Sequence, residues 1–234
     1  VFNELIKNYS YWGYGDNDLI YNKISKFIDN KKLENHDIFT FKSNFIHGPL
    51  SIYRNNSYCN ELFTKSENWK SILQKKEYQS FDEFGQEGFH LKPNSDIINF
   101  SNDNISVIAL KEQEKGNLKL FLKSYSKEVI CDTKEILRIE NGSVLNQKTN
   151  ESYIFYHWVW EKRALWFQYP NWTNTPASYY ISETGFYSKA EFKYYFFIHR
   201  YRKMKGGFYW MYLKISNYIK RRLHIGTVKI DTYT

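Results

Sequence analysis

Residues 11–21 read Tyr11-Trp12-Gly13-Tyr14-Gly15-Asp16-Asn17-Asp18-Leu19-Ile20-Tyr21. An aromatic run, two glycines and two carboxylates one residue apart follow each other. A strand ending near Tyr14 would place Asp16 and Asp18 on the turn that leaves it. Gly13 and Gly15 suit a sharp turn and a close approach to the backbone. Carboxylates at this spacing can grip one hard divalent cation. Mg²⁺ and Mn²⁺ take oxygen ligands and often bind through one or two carboxylates plus substrate phosphates. The stretch therefore points to a metal–diphosphate site. The competing reading is a solvated turn whose aspartates cap a helix over 19–29.

Around this stretch the chain reads as mixed α/β. The end of a helix is expected over 1–8 and strands over 9–14, 37–42 and 49–54. Helical spacing occupies 56–62 and 66–75, and 86–104 reads as loop. Alternation then predicts strands over 105–110, 117–124, 135–140 and 153–160. Turn chemistry stands between them at Lys115-Gly116-Asn117 and at Glu140-Asn141-Gly142-Ser143. Residues 170–176 read as loop, and the remainder as mainly helix.

Further blocks carry a resemblance. Trp12-Gly13-Tyr14-Gly15-Asp16-Asn17-Asp18-Leu19 resembles the Trp-Gly-x-x-Asp-x-Asp-Leu strand end of a bacterial family of GT-A fold glycosyltransferases of capsular polysaccharide synthesis. Phe45-Ile46-His47-Gly48-Pro49-Leu50-Ser51-Ile52-Tyr53-Arg54-Asn55-Asn56 is similar to the strand that lies beside the donor sugar there. Pro49 removes a backbone donor just after Gly48. Phe81-Asp82-Glu83 is similar to a Phe-Asp-Glu block. Tyr153 to Arg163 resembles a closing strand with a histidine and a following basic pair.

The resemblance implies a partial GT-A-like mixed sheet with a β-rich middle and a helical, basic C-terminal tail. It implies Mn²⁺ or Mg²⁺ on Asp16 and Asp18, with His157 completing the metal shell. Lys162 or Arg163 would meet the diphosphate, and Trp12, His47 and Gly48 would line the donor pocket. Asp82 or Glu83 is the candidate general base for an inverting reaction; a retaining one needs no base there. Residues 1–165 would form the catalytic region and 166–234 a basic, aromatic, mainly helical extension. GT-A enzymes place a nucleotide-binding half before the Asp-x-Asp strand. Only fifteen residues precede Asp16, so that half is expected to be missing from this stretch.

Composition adds bounds. The chain has 234 residues, of which 21 are Tyr, 18 Phe and 7 Trp. Such rings pair an apolar face with a polar tip and suit sugar clefts; an AT-rich genome would give the same bias. Two cysteines, Cys59 and Cys131, argue against a disulfide scaffold and for a reducing compartment. The cytoplasm is expected, with peripheral contact at the inner face of the plasma membrane. There is no Cys/His cluster of zinc spacing, no phosphate-binding glycine loop and no nucleophile elbow.

Charge is uneven. Residues 1–150 hold 20 Lys/Arg and 20 Asp/Glu, so the net +8 lies in residues 151–234. Apolar residues at three- and four-residue steps run from Phe208 to Leu223. A basic amphipathic helix within 189–223 could lie on an anionic membrane, or pack on its own domain. Nucleic acid is not expected as a partner, since no motif for it occurs. Three functions remain to be weighed. One is transfer of a sugar from a nucleotide-sugar donor to a glycan or lipid-linked glycan acceptor. Another is a non-catalytic carbohydrate-binding or scaffold module derived from such an enzyme. The third is a peripheral membrane adaptor working through residues 189–223, whose vesicle binding would weaken with salt.

Overall fold

Strand β1 (Tyr11–Gly15) ends one residue before Asp16, and Asp16 begins the turn. The structure, a computed structural model, describes residues 3–76, 81, 104–128, 130 and 135–222. The fold is mixed α/β, with several sheets and a long C-terminal helix. The chain forms two compact units, Val1–Leu19 with Ile24–Ser126, and Ile20–Lys23 with Lys127–Thr234.

The first unit opens with the short helix α1 (Asn3–Ile6) and is built on a four-stranded sheet. Strand β2 (Leu19–Tyr21), helix α2 (Asn30–Asn35), strand β3 (Ile38–Thr40) and strand β4 (Leu50–Arg54) follow in chain order. Short helices α3 (Ser57–Asn60) and α4 (Trp69–Gln74) precede α5 (Ile105–Glu114) and β5 (Leu120–Leu122). The sheet order is β1-β4-β3-β5, with β3 and β5 parallel and the other pairs antiparallel. Ile38, Ile46, Leu62, Val107, Ala109 and Leu118 form its core. Each fully buried aliphatic side chain contributes roughly 1.5–3 kcal/mol.

Arg54 ties β4 to α2. Its Nε donates to Asp37 Oδ1 at 2.8 Å, and its Nη2 donates to the carbonyls of Leu33 and His36, both at 2.9 Å. These carbonyls end α2, where a helix leaves its last acceptors unsatisfied and where a cation is favoured.

Helix α5 overturns the strand expected over 105–110. Ile105 through Leu110 are all buried, so no polar face marks a helical period. A run with β-branched residues and no periodicity is ambiguous between buried strand and buried helix. Asn104 resolves it by accepting from Val107 N at 3.0 Å as an N-cap.

Glu112 on α5 is a buried carboxylate with four partners. It accepts from Lys115 Nζ at 2.8 Å, from Asn117 Nδ2 at 2.9 Å and from the Tyr58 hydroxyl, and Lys65 Nζ lies at 3.4 Å. The Lys115 bond first, then Tyr58 and Asn117, hold its carboxyl down to about 2. A depressed carboxylate stabilises the fold above its unfolded value and ceases to do so as pH falls through the folded one. Glu112 should therefore support the fold above about pH 4.5 and lose that support as pH falls towards 2. Urea unfolding at stepped pH checks this. Glu112→Gln should flatten the acid limb, and an unchanged limb would refute the assignment.

The second unit holds the remaining strands: β6 (Ser126–Lys127), β7 (Leu137–Glu140), β8 (Ser143–Asn146), β9 (Ser152–Tyr153), β10 (Phe155–His157), β11 (Ser178–Ser182) and β12 (Gly185–Ser188). With β2, most of which belongs to this unit, they form a three-stranded sheet, β2-β10-β6, and a five-stranded sheet, β12-β11-β7-β8-β9. Asn141 and Gly142 both take positive φ, 49° and 71°, between the paired residues Glu140 and Ser143. This is the two-residue hairpin that an Asn-Gly pair favours.

Two expectations change here. Residues 19–29 are not one helix: β2 is followed by a single 3₁₀ turn over Ile24–Lys26. Buried Asn22 holds the chain extended. Its N–H donates to Ile154 O, its Nδ2 donates to Tyr153 O, each at 2.8 Å, and its Oδ1 accepts from Lys23 N at 2.7 Å. Nor is the region after residue 176 helix from its start. The hairpin β11–β12 comes first, filling the core with Ile181 and Phe186. Ser188 and Glu191 then make a capping box that starts α6 (Lys189–Phe192), followed by α7 (Tyr195–Arg222).

Candidate metal centre

The Asp-x-Asp turn is set by β1. That strand pairs with β4 from Tyr11↔Arg54 to Gly15↔Leu50, and Asp16 N–H donates to Pro49 O at 2.9 Å. Gly13 makes this pairing close: a Cβ there would stand 2.9 Å from Ser51 O. The strand delivers Asp16 exposed and, two residues on, Asp18 buried.

Asp18 directly precedes β2, whose neighbour in the three-stranded sheet is β10. Asn22, just past β2, bonds Ile154, just before β10. His157 is the last residue of β10. Asp16, Asp18 and His157 each present a ligand atom, and all three atoms lie within 4.8 Å of one another. Two carboxylates and an imidazole converge there, so these residues form a group that could hold a metal ion.

A family model described as a family of unknown function (DUF6625) matches residues 1–208. The chain belongs to this family. No curated protein and no solved structure matches it. The DUF6625 match spans Asp16, Asp18 and His157, and runs into α7.

Other residues singled out in this DUF6625 chain sit as follows. Trp12 stacks on Tyr53 at 5.0 Å between ring centroids, and its Nε1 donates to Asn60 Oδ1 at 2.8 Å. Tyr14 also stacks on Tyr53, 6.0 Å between ring centroids. His47 and Gly48 are buried in the loop before β4. His47 is 1% exposed, its N–H donates to Thr40 Oγ1 at 2.7 Å, and its ring meets Phe45 edge-on. His47 is not part of the Asp16–Asp18–His157 group. Lys162 and Arg163 share a single 3₁₀ turn, Glu161–Arg163, after β10. Lys162 Nζ stands 6.0 Å from the Trp158 ring centroid and the Arg163 guanidinium 4.8 Å from that of Trp160. Asp82 and Glu83 lie outside the described residues.

Glu161 escaped the sequence reading. Written before Lys162 and Arg163, it resembles an ordinary surface charge, yet it is buried. Its Oε1 accepts from Ile130 N at 2.6 Å. Burial pushes its carboxyl up, against the Ile130 N–H and the nearby His157. It ties the turn that carries the basic pair to the backbone of Ile130. Only the tight spacing from His157 to Glu161 could have signalled this.

Proposed function

We propose that this chain is the metal-binding part of a glycosyltransferase, moving a sugar from a nucleotide-sugar donor to a cell-surface glycan or polysaccharide. The observation that carries the reading is the convergence of Asp16 and Asp18 with His157, distant from them in sequence, within 4.8 Å. The resemblance of Trp12–Leu19 to GT-A strand ends supports it.

The chemistry follows from the leaving group. Breaking the bond to the sugar leaves a nucleoside diphosphate with concentrated negative charge. A divalent ion stabilises that charge as a Lewis acid without moving a proton. Asp16 and Asp18 would supply anionic oxygens, and His157 a neutral nitrogen. An imidazole beside two carboxylates suits Mn²⁺ better than Mg²⁺, which keeps to oxygen ligands. Asp16, the exposed member, would leave a bound ion open to water or phosphate. Lys162 and Arg163 would carry fixed positive charge towards phosphate oxygens.

Release of nucleoside diphosphate from a panel of nucleotide sugars tests the reading. It should require Mn²⁺ or Mg²⁺ and fall at least ~100-fold in Asp16→Ala/Asp18→Ala. A chain that retains glycan equally well after the double substitution, and releases no diphosphate before it, would be the carbohydrate-binding module instead.

A further inference from the structure

Helix α7 is built inside out. Its inward side holds polar and basic residues. Arg202 Nη1 donates to Thr184 O at 3.2 Å and Phe186 O at 2.9 Å, and the guanidinium lies 4.1 Å from the Tyr187 ring centroid. Lys203 Nζ donates to Glu183 Oε2 at 2.8 Å and sits 4.2 Å from the Trp166 ring centroid. His199 Nδ1 is 3.2 Å from both Thr184 Oγ1 and the Tyr195 hydroxyl. Gly206 lets the helix backbone rest on Trp166, where a Cβ would come within 2.8 Å.

The outward side is apolar. Phe197, Tyr201, Met204, Phe208, Ile215 and Ile219 recur at three-, four- and seven-residue steps, which is one stripe along a helix. Each of them is at least half exposed, Phe197 the most at 72%. At 1.5 Å per residue the stripe runs about 33 Å. A monomer rarely leaves so long an apolar run in water.

Charge identifies what covers it. Residues 195–222 contain eight Lys/Arg and no Asp or Glu. Arg200 and Lys214 flank the stripe on one side and Lys205 on the other, all exposed. A second copy docking through the same face would bring these cations together. An anionic lipid surface satisfies both features at once: apolar side chains enter the acyl boundary while lysine and arginine reach the phosphates. Tyrosines, with a polar tip on an apolar ring, suit the same depth. Among the described residues no helix is long and apolar enough to cross a membrane.

We propose that α7 lies in the plane of an anionic membrane, its Phe197–Ile219 stripe inserted and its flanking basic residues on lipid phosphates. The test is sedimentation of the full chain with phosphatidylcholine vesicles, with and without phosphatidylglycerol, at low and high salt. The chain should pellet only with anionic vesicles and should release as salt screens the charge. Phe208→Ser/Ile215→Ser and Arg200→Glu/Lys205→Glu should each bind at least ~10-fold more weakly, with circular dichroism unchanged. If a variant loses helicity, the salt series on the unmodified chain decides. A chain left in the supernatant with anionic vesicles at low salt would overturn the proposal. So would serine variants that pellet like the parent. A dimer in light scattering that the serine variants dissolve, without vesicle binding, would assign the face to a second copy and overturn it too. No readout needs a metal or a nucleotide sugar, so the result is separate from the glycosyltransferase reading.

Discussion

Titrating Mn²⁺ with UDP into the unmodified chain should give a saturable heat in calorimetry, and into Asp16→Ala/Asp18→Ala it should give none. The expected loss is at least ~100-fold in affinity, because altering even the supporting groups of a metal site costs 10–100-fold and here two ligands go. His157→Ala should lose less, since two carboxylates still hold the charge; a drop of about 10-fold is expected. The two variants separate a ligand from a neighbour. If His157→Ala binds as tightly as the parent while the aspartate variant does not, the imidazole is a strand histidine near the metal and not on it. If the folded parent gives no heat at all, the enzyme reading fails for these ligands and the glycan-binding or scaffold alternative gains.

Gly185→Ala should cost the fold about 3 kcal/mol or more. Two terms add. Gly185 has φ of +114°, which an L side chain rarely adopts. An added Cβ would also stand 2.2 Å from Gln168 O and 2.6 Å from Gln168 N, both backbone atoms. That backbone cannot simply retreat, because Gln168 N donates to Thr184 O and Phe186 N donates to Gln168 O, each at 3.1 Å. Thermal unfolding should fall by roughly 6–12 °C for a chain of this size. Gly116 supplies the control. Its φ is +76° but nothing lies within 4 Å of its added Cβ, so Gly116→Ala carries the conformational cost alone. Equal losses at the two sites would show that the contact with Gln168 gives way freely.

Much of this was legible where local chemistry and tertiary context agree. The strand before Asp16, the Asn141-Gly142 hairpin and the long basic helix all follow from patterns within a few residues. Three pieces were not. The first six residues of helix α5 are all buried, so no period shows in that run. Strand β2 is held by Asn22 reaching carbonyls about 130 residues away, which nothing in residues 19–29 announces. The β11–β12 hairpin turns at Glu183-Thr184, without the Asn-Gly or Asp-Gly pair that marks such turns, and Gly185 serves a contact with Gln168 instead. At the site, Asp16 and Asp18 could be named from spacing alone. His157 came only through the resemblance, and buried Glu161 was invisible because burial is not written in residue type.

The detour of residues 20–23 into the second unit has a consequence for synthesis on the ribosome. Strand β2 is made about 135 residues before its partner β10. At 5–20 residues per second it waits roughly 7–27 s with an unpaired edge. Truncating the chain after Ser126 would leave that strand permanently without β10. The emerging nascent chain therefore carries an unpaired strand for most of its translation, and only the last third of the polypeptide supplies its partner.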